Sequence, residues 1–318
     1  MSDSAVQGEG AILAPAARRT AEAVQAPRPA DWAMMLTVAL IGGSAFAGIA
    51  VAVRTASPPV VACGRLWIGF AVMAAYAAVV RQPLPRSREG WGYAAAVGLL
   101  GYAAPFTIYP LAQQTVTSVV AGVYMTLLPL ITLVLAGLFA GEAVSRRKLA
   151  GVGLGLLGVL ALLGPNALRG VASEHVGAQL LCLLAVCGYA SANVTMRRAP
   201  PAPPAGFAAA FLLCGAVFAT PGALLAGWEG VSAQSLAAIV ALGLFPTGFT
   251  AVLILQTVRR AGAGFFALSA YAAPLVALGL GVTFLGETAL PRHLVGLALI
   301  LSGLAVAGTG RLKAQRRR

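Results

Sequence analysis

Arg65 is the one basic residue that lies well inside a long apolar stretch of the sequence. It follows Pro58 by seven residues, which at 1.5 Å per helical residue corresponds to about 10 Å along a helix. An ionisable side chain inside an apolar span is costly and indicates a functional site. A guanidinium in this position can attract a carboxylate. The alternative is that it reaches outward to a polar surface or bonds to helix carbonyl groups.

A stripe of aromatic and amide side chains follows at helical spacing. Tyr102, Phe106, Tyr109 and Gln113 stand at i, i+4, i+7 and i+11, which is one face of a helix. The face can bind a solute in a cavity, and it can equally be ordinary packing or an interface belt. A buried tyrosine hydroxyl needs a partner, which favours the cavity.

Two further tyrosines precede prolines inside apolar stretches. Tyr124 lies five residues before Pro129, and Tyr271 lies three residues before Pro274. Because proline frees a carbonyl group about one turn earlier, we predict a helix break at each proline. The remaining candidates for substrate binding are Asn193, Phe245 and Phe249.

Two acids each end a long apolar stretch. Glu142 is followed by Arg146, and Glu287 by Arg292. The negative end of a helix dipole disfavours an acid unless a cation compensates. Each acid can therefore form a helix-end ion pair that fixes the turn, or the two can be symmetric gate latches.

None of the nine acids lies in the middle of an apolar stretch, and His175 and His293 also lie at the ends. A proton-coupled antiporter for cationic drugs normally needs an embedded carboxylate. An intramembrane enzyme needs a nucleophile with a base, or a metal cluster. We therefore expect no catalytic residues, no metal and no cofactor, and we interpret the four cysteines as small apolar residues.

The elements that carry these residues are membrane helices. The chain of 318 residues is 59% hydrophobic and only 10% charged, whereas soluble domains average about 25% charged residues. Runs of about 20 apolar residues are long enough to cross a bilayer, and they lack the alternation of barrel strands. We predict ten helices, at 32–53, 58–80, 90–111, 116–140, 147–164, 176–196, 205–227, 233–256, 263–285 and 292–310.

The chain repeats itself at a constant offset. The differences 274 − 129 and 287 − 142 both equal 145, and Gly151 and Gly158 recur as Gly296 and Gly303. Five helices per repeat is an odd number, so the second copy must be inverted in the membrane. Inverted repeats are typical of secondary transporters that bind substrate near the midplane.

Basic residues mark the two sides of the membrane. With the N-terminus inside, cytoplasmic segments hold 18 Lys and Arg residues and external segments hold three. Both termini are therefore predicted to be cytoplasmic. The net charge of +13 is a topology signal and not a nucleic-acid surface. The predicted units are a disordered tail (1–31), a first repeat (32–164), an external linker (165–175), a second repeat (176–310) and a basic tail (311–318).

Over about residues 32 to 310, the chain resembles the EamA-like, ten-helix branch of the drug/metabolite transporter superfamily. The resemblance is carried by the doubled pattern of proline, Gly-Glu and two glycines, and by Arg65. Overall similarity is greatest to the aromatic amino-acid exporters of that branch. The resemblance implies ten helices around a central cavity in a bacterial inner membrane. It also implies a small-molecule substrate and lipid contacts, and we expect a monomer.

We therefore expect an exporter of aromatic or other neutral amino acids that works by alternating access and is facilitative. The alternatives are a multidrug or metabolite exporter of the same family, a membrane-embedded enzyme, or a receptor that binds a ligand without transporting it.

Overall fold

The computed structural model describes residues 28–140, 146–163, 174–266 and 269–315, and all regular structure in these ranges is helical. The first half contains α1 (Pro29–Ala52), α2 (Pro58–Val79), α3 (Arg88–Gly98), α4 (Ala104–Ala112), α5 (Ser118–Met125), α6 (Leu128–Ala140) and α7 (Arg146–Leu163). The second half contains α8 (Glu174–Arg198), α9 (Pro204–Ala226), α10 (Ala233–Leu242), α11 (Thr250–Phe266), α12 (Ser269–Leu285) and α13 (Pro291–Gln315).

Consecutive helices join into longer rods. Two π-helical segments, Leu99–Ala103 and Gly243–Phe249, connect α3 to α4 and α10 to α11. In the described residues, seven helical segments are long and apolar enough to cross a membrane, and 149–161 and 272–285 form shorter apolar helices. The chain is therefore a multi-pass membrane protein, and the count of ten spans stays a prediction.

Glycine contacts show how the two repeats pack. A Cβ atom on Gly158 of α7 would lie 2.8 Å from the carbonyl oxygen of Gly296 in α13, and one on Gly303 would meet the carbonyl oxygen of Gly151. Gly303 and Gly296 are the repeat equivalents of Gly158 and Gly151, so the second contact is the first one with α7 and α13 exchanged. The fifth helix of each repeat therefore crosses its counterpart about a two-fold axis.

Connections predicted to share a membrane face contact each other. The side-chain oxygen of Gln82, after α2, accepts a hydrogen bond of 2.7 Å from Ala205 N, where the connection between α8 and α9 enters the first turn of α9. At the other end of the bundle, Thr55 Oγ1 accepts one from Ser232 N at 2.9 Å. Both contacts join a connection of one repeat to a connection of the other, as the inverted arrangement requires.

The first and last helices are longer than predicted. Helix α1 begins at Pro29, inside the predicted tail, because proline suits the first helical position and Asp31 accepts a hydrogen bond from Arg28 N at 2.9 Å. Helix α13 continues to Gln315, beyond its predicted end at residue 310. Residues 1–27, most of the linker (165–173) and residues 316–318 lie outside the described part.

Two predictions inside the chain need correction. Helix α11 continues through Arg260 to Phe266, although we expected a loop there, and Arg260 Nε forms an ion pair of 3.0 Å with Asp31 Oδ1. The helix is interrupted just before Pro129, as predicted, but Pro274 lies within α12, which runs from Ser269 to Leu285. Pro274 follows the start of α12 by little more than a turn, where few backbone hydrogen bonds depend on the residue.

Candidate functional site

Arg65 lies two turns into α2 and points into the helix bundle. Its side chain is only 7% exposed. The Nε atom donates a hydrogen bond to Thr247 Oγ1 at 2.7 Å, and that hydroxyl donates in turn to the carbonyl oxygen of Leu242 at 2.9 Å. The first repeat thus supplies the cation, and the π-helical segment of the second repeat orients it.

The ring of Phe106 lies against the Arg65 guanidinium. The guanidinium carbon is 3.7 Å from the ring centroid, a close cation–π contact, and such contacts contribute about 2 kcal/mol when desolvated. Among the described residues, the two terminal amino groups of Arg65 have no hydrogen-bond partner, and no acid forms an ion pair with it. An arginine has five N–H donors, so four remain free for a ligand.

Aromatic rings extend from Phe106 in two directions. Tyr102 lies edge to face with Phe106 at 5.5 Å and stacks on Phe211 at 4.8 Å. Tyr189 packs against Phe106 at 6.3 Å and against Tyr109 at 6.2 Å. The predicted stripe is therefore part of a cluster that also recruits rings from α8 and α9.

The outer part of the stripe holds helices together. Tyr109 donates to the carbonyl oxygen of Ala121 at 3.4 Å, and Gln113 Nε2 donates to that of Phe46 at 2.9 Å. Tyr124, a separate candidate, donates to Gln179 Oε1 at 3.1 Å. Each bond joins different helices, so these three candidates have structural partners, whereas Arg65 has free donors.

Among the described side chains, no hydrogen bond or ring contact joins the candidates Phe245, Phe249 and Asn193 to Arg65. Phe245 and Phe249, two residues before and after Thr247, are 52% and 43% exposed. Asn193 is half-buried in α8. Tyr271 belongs to α12, but its side chain is outside the described part of the structure.

Sequence reasoning missed Tyr189, Phe211 and Thr247. The signal for Thr247 was available, because 247 − 102 equals the repeat offset of 145 and Tyr102 was a candidate. The equivalent positions lie in the two π-helical segments and border the same arginine. Widened turns of this kind are frequent at functional sites.

Glu287 has a different partner from the one we predicted. Its carboxylate accepts hydrogen bonds from Ser118 N at 2.8 Å, Ser118 Oγ at 2.9 Å and Val119 N at 3.0 Å. The acid thus caps the first turn of α5 in the other repeat, where the helix dipole favours negative charge. No ion pair with Arg292 is found among the described residues, and Arg292 is exposed. Glu142 lies outside the described residues, and Arg146 is exposed.

Within the described ranges, no three His, Cys, Asp or Glu side chains come together as a metal site, and the four cysteines are free. The structure is a bundle of apolar helices in two repeats, with a buried cation and aromatic rings where they meet. This combination defines a multi-pass membrane protein with internal repeats.

The EamA-like transporter family model matches the chain twice, over residues 32–164 and 176–309. The chain belongs to this family and is a transporter, not an enzyme. The chain is 27% identical over 279 residues to a probable terminal-alkyne amino-acid exporter of Streptantibioticus cattleyicolor, covering 86% of this chain and 92% of that one. It is 30% identical over 237 residues to the aromatic amino acid exporter YddG of Ancylobacter novellus, covering 72% and 77%.

A protein crystal structure has the same fold, with a TM-score of 0.64 and 23% identity, covering 88% of this chain and 98% of that one.

Proposed function

We propose that this protein exports aromatic or other neutral amino acids. The observation that carries the proposal is Arg65, a buried guanidinium with free donors that lies 3.7 Å from the centroid of the Phe106 ring. A substrate carboxylate can take those donors, and an aromatic side chain can pack against Tyr102 and Tyr189. The names of the two curated relatives, both amino-acid exporters, support this substrate class.

The charge of the site favours a zwitterion over a cation. A buried charge without a partner is costly, and a ligand carboxylate offsets that cost. A cationic drug would meet like charge at Arg65, and no acid pairs with Arg65 in the described residues. This arrangement speaks against a multidrug exporter for polyvalent cations.

We propose alternating access between the two repeats, by facilitated diffusion. No acid in the sequence lies in the middle of a predicted span, so none can cycle protons through the bilayer. Transport in proteoliposomes should therefore persist when the proton gradient is collapsed. A steep dependence of flux on an imposed pH gradient, lost on substitution of Glu287, would contradict this mechanism.

Glu287 is a candidate latch for one gate. It lies in the connection between α12 and α13 of the second repeat and bonds to the first turn of α5 of the first repeat, at one end of the bundle. We propose that Glu142 forms the corresponding latch at the opposite end. Opening a gate would then break three hydrogen bonds to one carboxylate.

We further propose that the protein is a monomer in a bacterial inner membrane, in contact with lipid, with two repeats joined at 165–175 and both termini cytoplasmic. The distribution of Lys and Arg supports this orientation. Cysteine labelling of intact cells tests it. Strong external labelling at position 147, or none at 169 and 292, would contradict it.

A competition screen in proteoliposomes tests the substrate class. Unlabelled phenylalanine, tryptophan and leucine should compete with labelled phenylalanine, whereas cationic dyes should not. Competition by the dyes alone would favour the multidrug alternative.

A further inference from the structure

An elongated groove of about 550 Å³ runs along the outside of the bundle between α1, α10 and α12. Its floor consists of small residues, among them Ala47, Gly48 and Ala237, and its wall includes Leu280 and Phe284. Phe284 is 79% exposed. Apart from Gln234 and Arg54, the described lining of the groove is apolar, and the groove is open to the side.

A second groove, of about 220 Å³, lies between α6 and α8. Leu135 and Phe139 form one wall, and Phe139 is 63% exposed. The α8 side carries Val194 and the hydroxyl residues Ser191 and Thr195, which both donate to carbonyl oxygens of their own helix. The differences 280 − 135 and 284 − 139 both equal 145, so the repeat relates the walls of the two grooves. Helices α1 and α8, which complete the grooves, are also equivalent. The described lining of the second groove includes no residue of α3, the counterpart of α10.

Each groove has an arginine at one end. Arg54 is the second residue after α1 and lines the larger groove, and Arg198 is the last residue of α8 and lines the smaller one. Both side chains are exposed, and neither guanidinium has a hydrogen-bond or ion-pair partner among the described residues. Arg54 stands beside the Thr55–Ser232 contact, and Arg198 lies at the opposite end of the bundle.

We propose that the two grooves are binding sites for anionic phospholipids, one in each leaflet. An acyl chain lies in the apolar groove against Phe284 or Phe139, and the headgroup phosphate binds Arg54 or Arg198. Arginine binds two oxygens of a phosphate through two parallel N–H donors. An anionic headgroup also neutralises the charge of the guanidinium, whereas the positive group of a zwitterionic headgroup offsets part of that attraction. The inverted repeat relates the apolar walls of the two grooves. The arginines are separated by 198 − 54 = 144 positions, one less than the repeat offset, so each half supplies its own arginine at a neighbouring position.

Charge complementarity and amphipathic shape favour this occupant. A second protein copy on the larger groove would bury Arg54, and the described residues that line the groove include no acid to pair with it. A soluble anion would use the arginine but leave the apolar wall exposed. A phospholipid satisfies both ends, and each basic residue near a membrane surface strengthens anionic lipid binding about fivefold.

Native mass spectrometry of the full chain tests the proposal. Purified protein is titrated with phosphatidylglycerol or with phosphatidylcholine of the same acyl chains, and bound lipids are counted. We expect two phosphatidylglycerol molecules bound at least about fivefold more tightly than phosphatidylcholine. Arg54→Gln and Arg198→Gln should each remove one, and the double variant both. Arg86→Gln, an equal charge change at an exposed position away from both grooves, is the matched control.

Ala237→Trp provides a second test that leaves Arg54 in place. The position is exposed and lines the larger groove, so the indole fills the groove without disturbing the core. It should remove one phosphatidylglycerol. The proposal would be overturned by any of three results. Arg86→Gln could lose as much lipid as the groove variants, both groove arginine variants could keep their bound lipids, or the protein could form a dimer without bound lipid. None of these readouts depends on which solute is transported.

Discussion

The Nε atom of Arg65 donates a hydrogen bond of 2.7 Å to Oγ1 of Thr247, a residue 182 positions later in the chain. The bond joins α2 of the first repeat to the π-helical segment Gly243–Phe249 of the second. Thr247 also donates to the carbonyl oxygen of Leu242. The hydroxyl is thereby fixed as an acceptor toward the guanidinium, so the site depends on both repeats.

Thr247→Val should weaken substrate binding. The variant keeps the shape of the side chain but removes the acceptor for Arg65, and a hydrogen bond to a charged group contributes about 1.5–3 kcal/mol. We expect the apparent affinity for phenylalanine in proteoliposomes to fall about tenfold. Thr257→Val is the control, because Thr257 is buried and its hydroxyl bonds only to Leu253 in its own helix. Equal losses in both variants would contradict the role of Thr247.

Loss of a ring beside Arg65 should affect aromatic solutes selectively. Tyr102→Ala and Phe106→Ala should weaken transport of phenylalanine and tryptophan several-fold to about tenfold, since an aromatic contact contributes about 0.5–1.5 kcal/mol beyond burial. We expect the same of Tyr271→Ala, a sequence candidate whose side chain lies outside the described part of the structure. Alanine transport should change less. Phe218→Ala, at an exposed position of α9, is the control. Uniform loss for every solute would assign the rings to packing.

Glu287→Gln should destabilise the protein. The amide keeps one acceptor oxygen, but its NH2 group cannot accept from the donors that now bind the other carboxylate oxygen. The variant also loses the charge that favours the first turn of α5, worth about 0.3–1 kcal/mol at a helix N-terminus. Glu287→Ala removes the hydrogen bonds as well and should lower the melting temperature further. Glu229→Gln, at an exposed connection, should have no effect. A melting temperature equal to wild type in Glu287→Ala would show that the cap is dispensable.

A larger side chain at Gly158 should disrupt the contact between the repeats. Its Cβ atom would lie 2.5 Å from Ile300 Cγ1 and 2.8 Å from the carbonyl oxygen of Gly296, and overpacking costs about 1–3 kcal/mol. Gly158→Leu should therefore lower the melting temperature. Gly153→Leu on the same helix is the matched control, because nothing lies within 4 Å of a Cβ there. A similar loss in Gly153→Leu would point to helix propensity or lipid contacts instead.

The repeat and its consequences could be predicted from the sequence. A constant offset requires equivalent residues to occupy equivalent environments, and the contacts of Gly158 with Gly296 and of Gly303 with Gly151 follow from it. The stripe from Tyr102 to Tyr109 could be predicted because helical spacing is local. For Arg65 the sequence left two orientations open, and the structure has the side chain inside the bundle.

The partners across the bundle could not be predicted in the same way. Thr247 bonds to Arg65, Tyr189 packs against Phe106, and Ser118 bonds to Glu287. In each pair the two residues belong to helices or connections distant in the sequence, so local spacing does not predict the contact. For Glu287 the neighbouring arginine was the obvious partner. A helix N-terminus offers backbone N–H groups that do not show in a list of charged residues.

The role of Arg65 is tested most directly by flux measurements in proteoliposomes that contain wild-type protein or Arg65→Gln. The solutes are phenylalanine and phenylalaninamide, in which a neutral amide replaces the carboxylate. Wild-type protein should transport phenylalanine and discriminate against the amide, because the free donors of Arg65 bind a carboxylate. The apparent affinity of Arg65→Gln for phenylalanine should be about tenfold lower or more, as expected for the loss of charge-assisted hydrogen bonds. Arg65→Gln should also no longer discriminate between phenylalanine and the amide. Arg65→Lys should retain part of the affinity and part of the discrimination. Wild-type affinity and discrimination in Arg65→Gln, at equal protein amount and melting temperature, would contradict it.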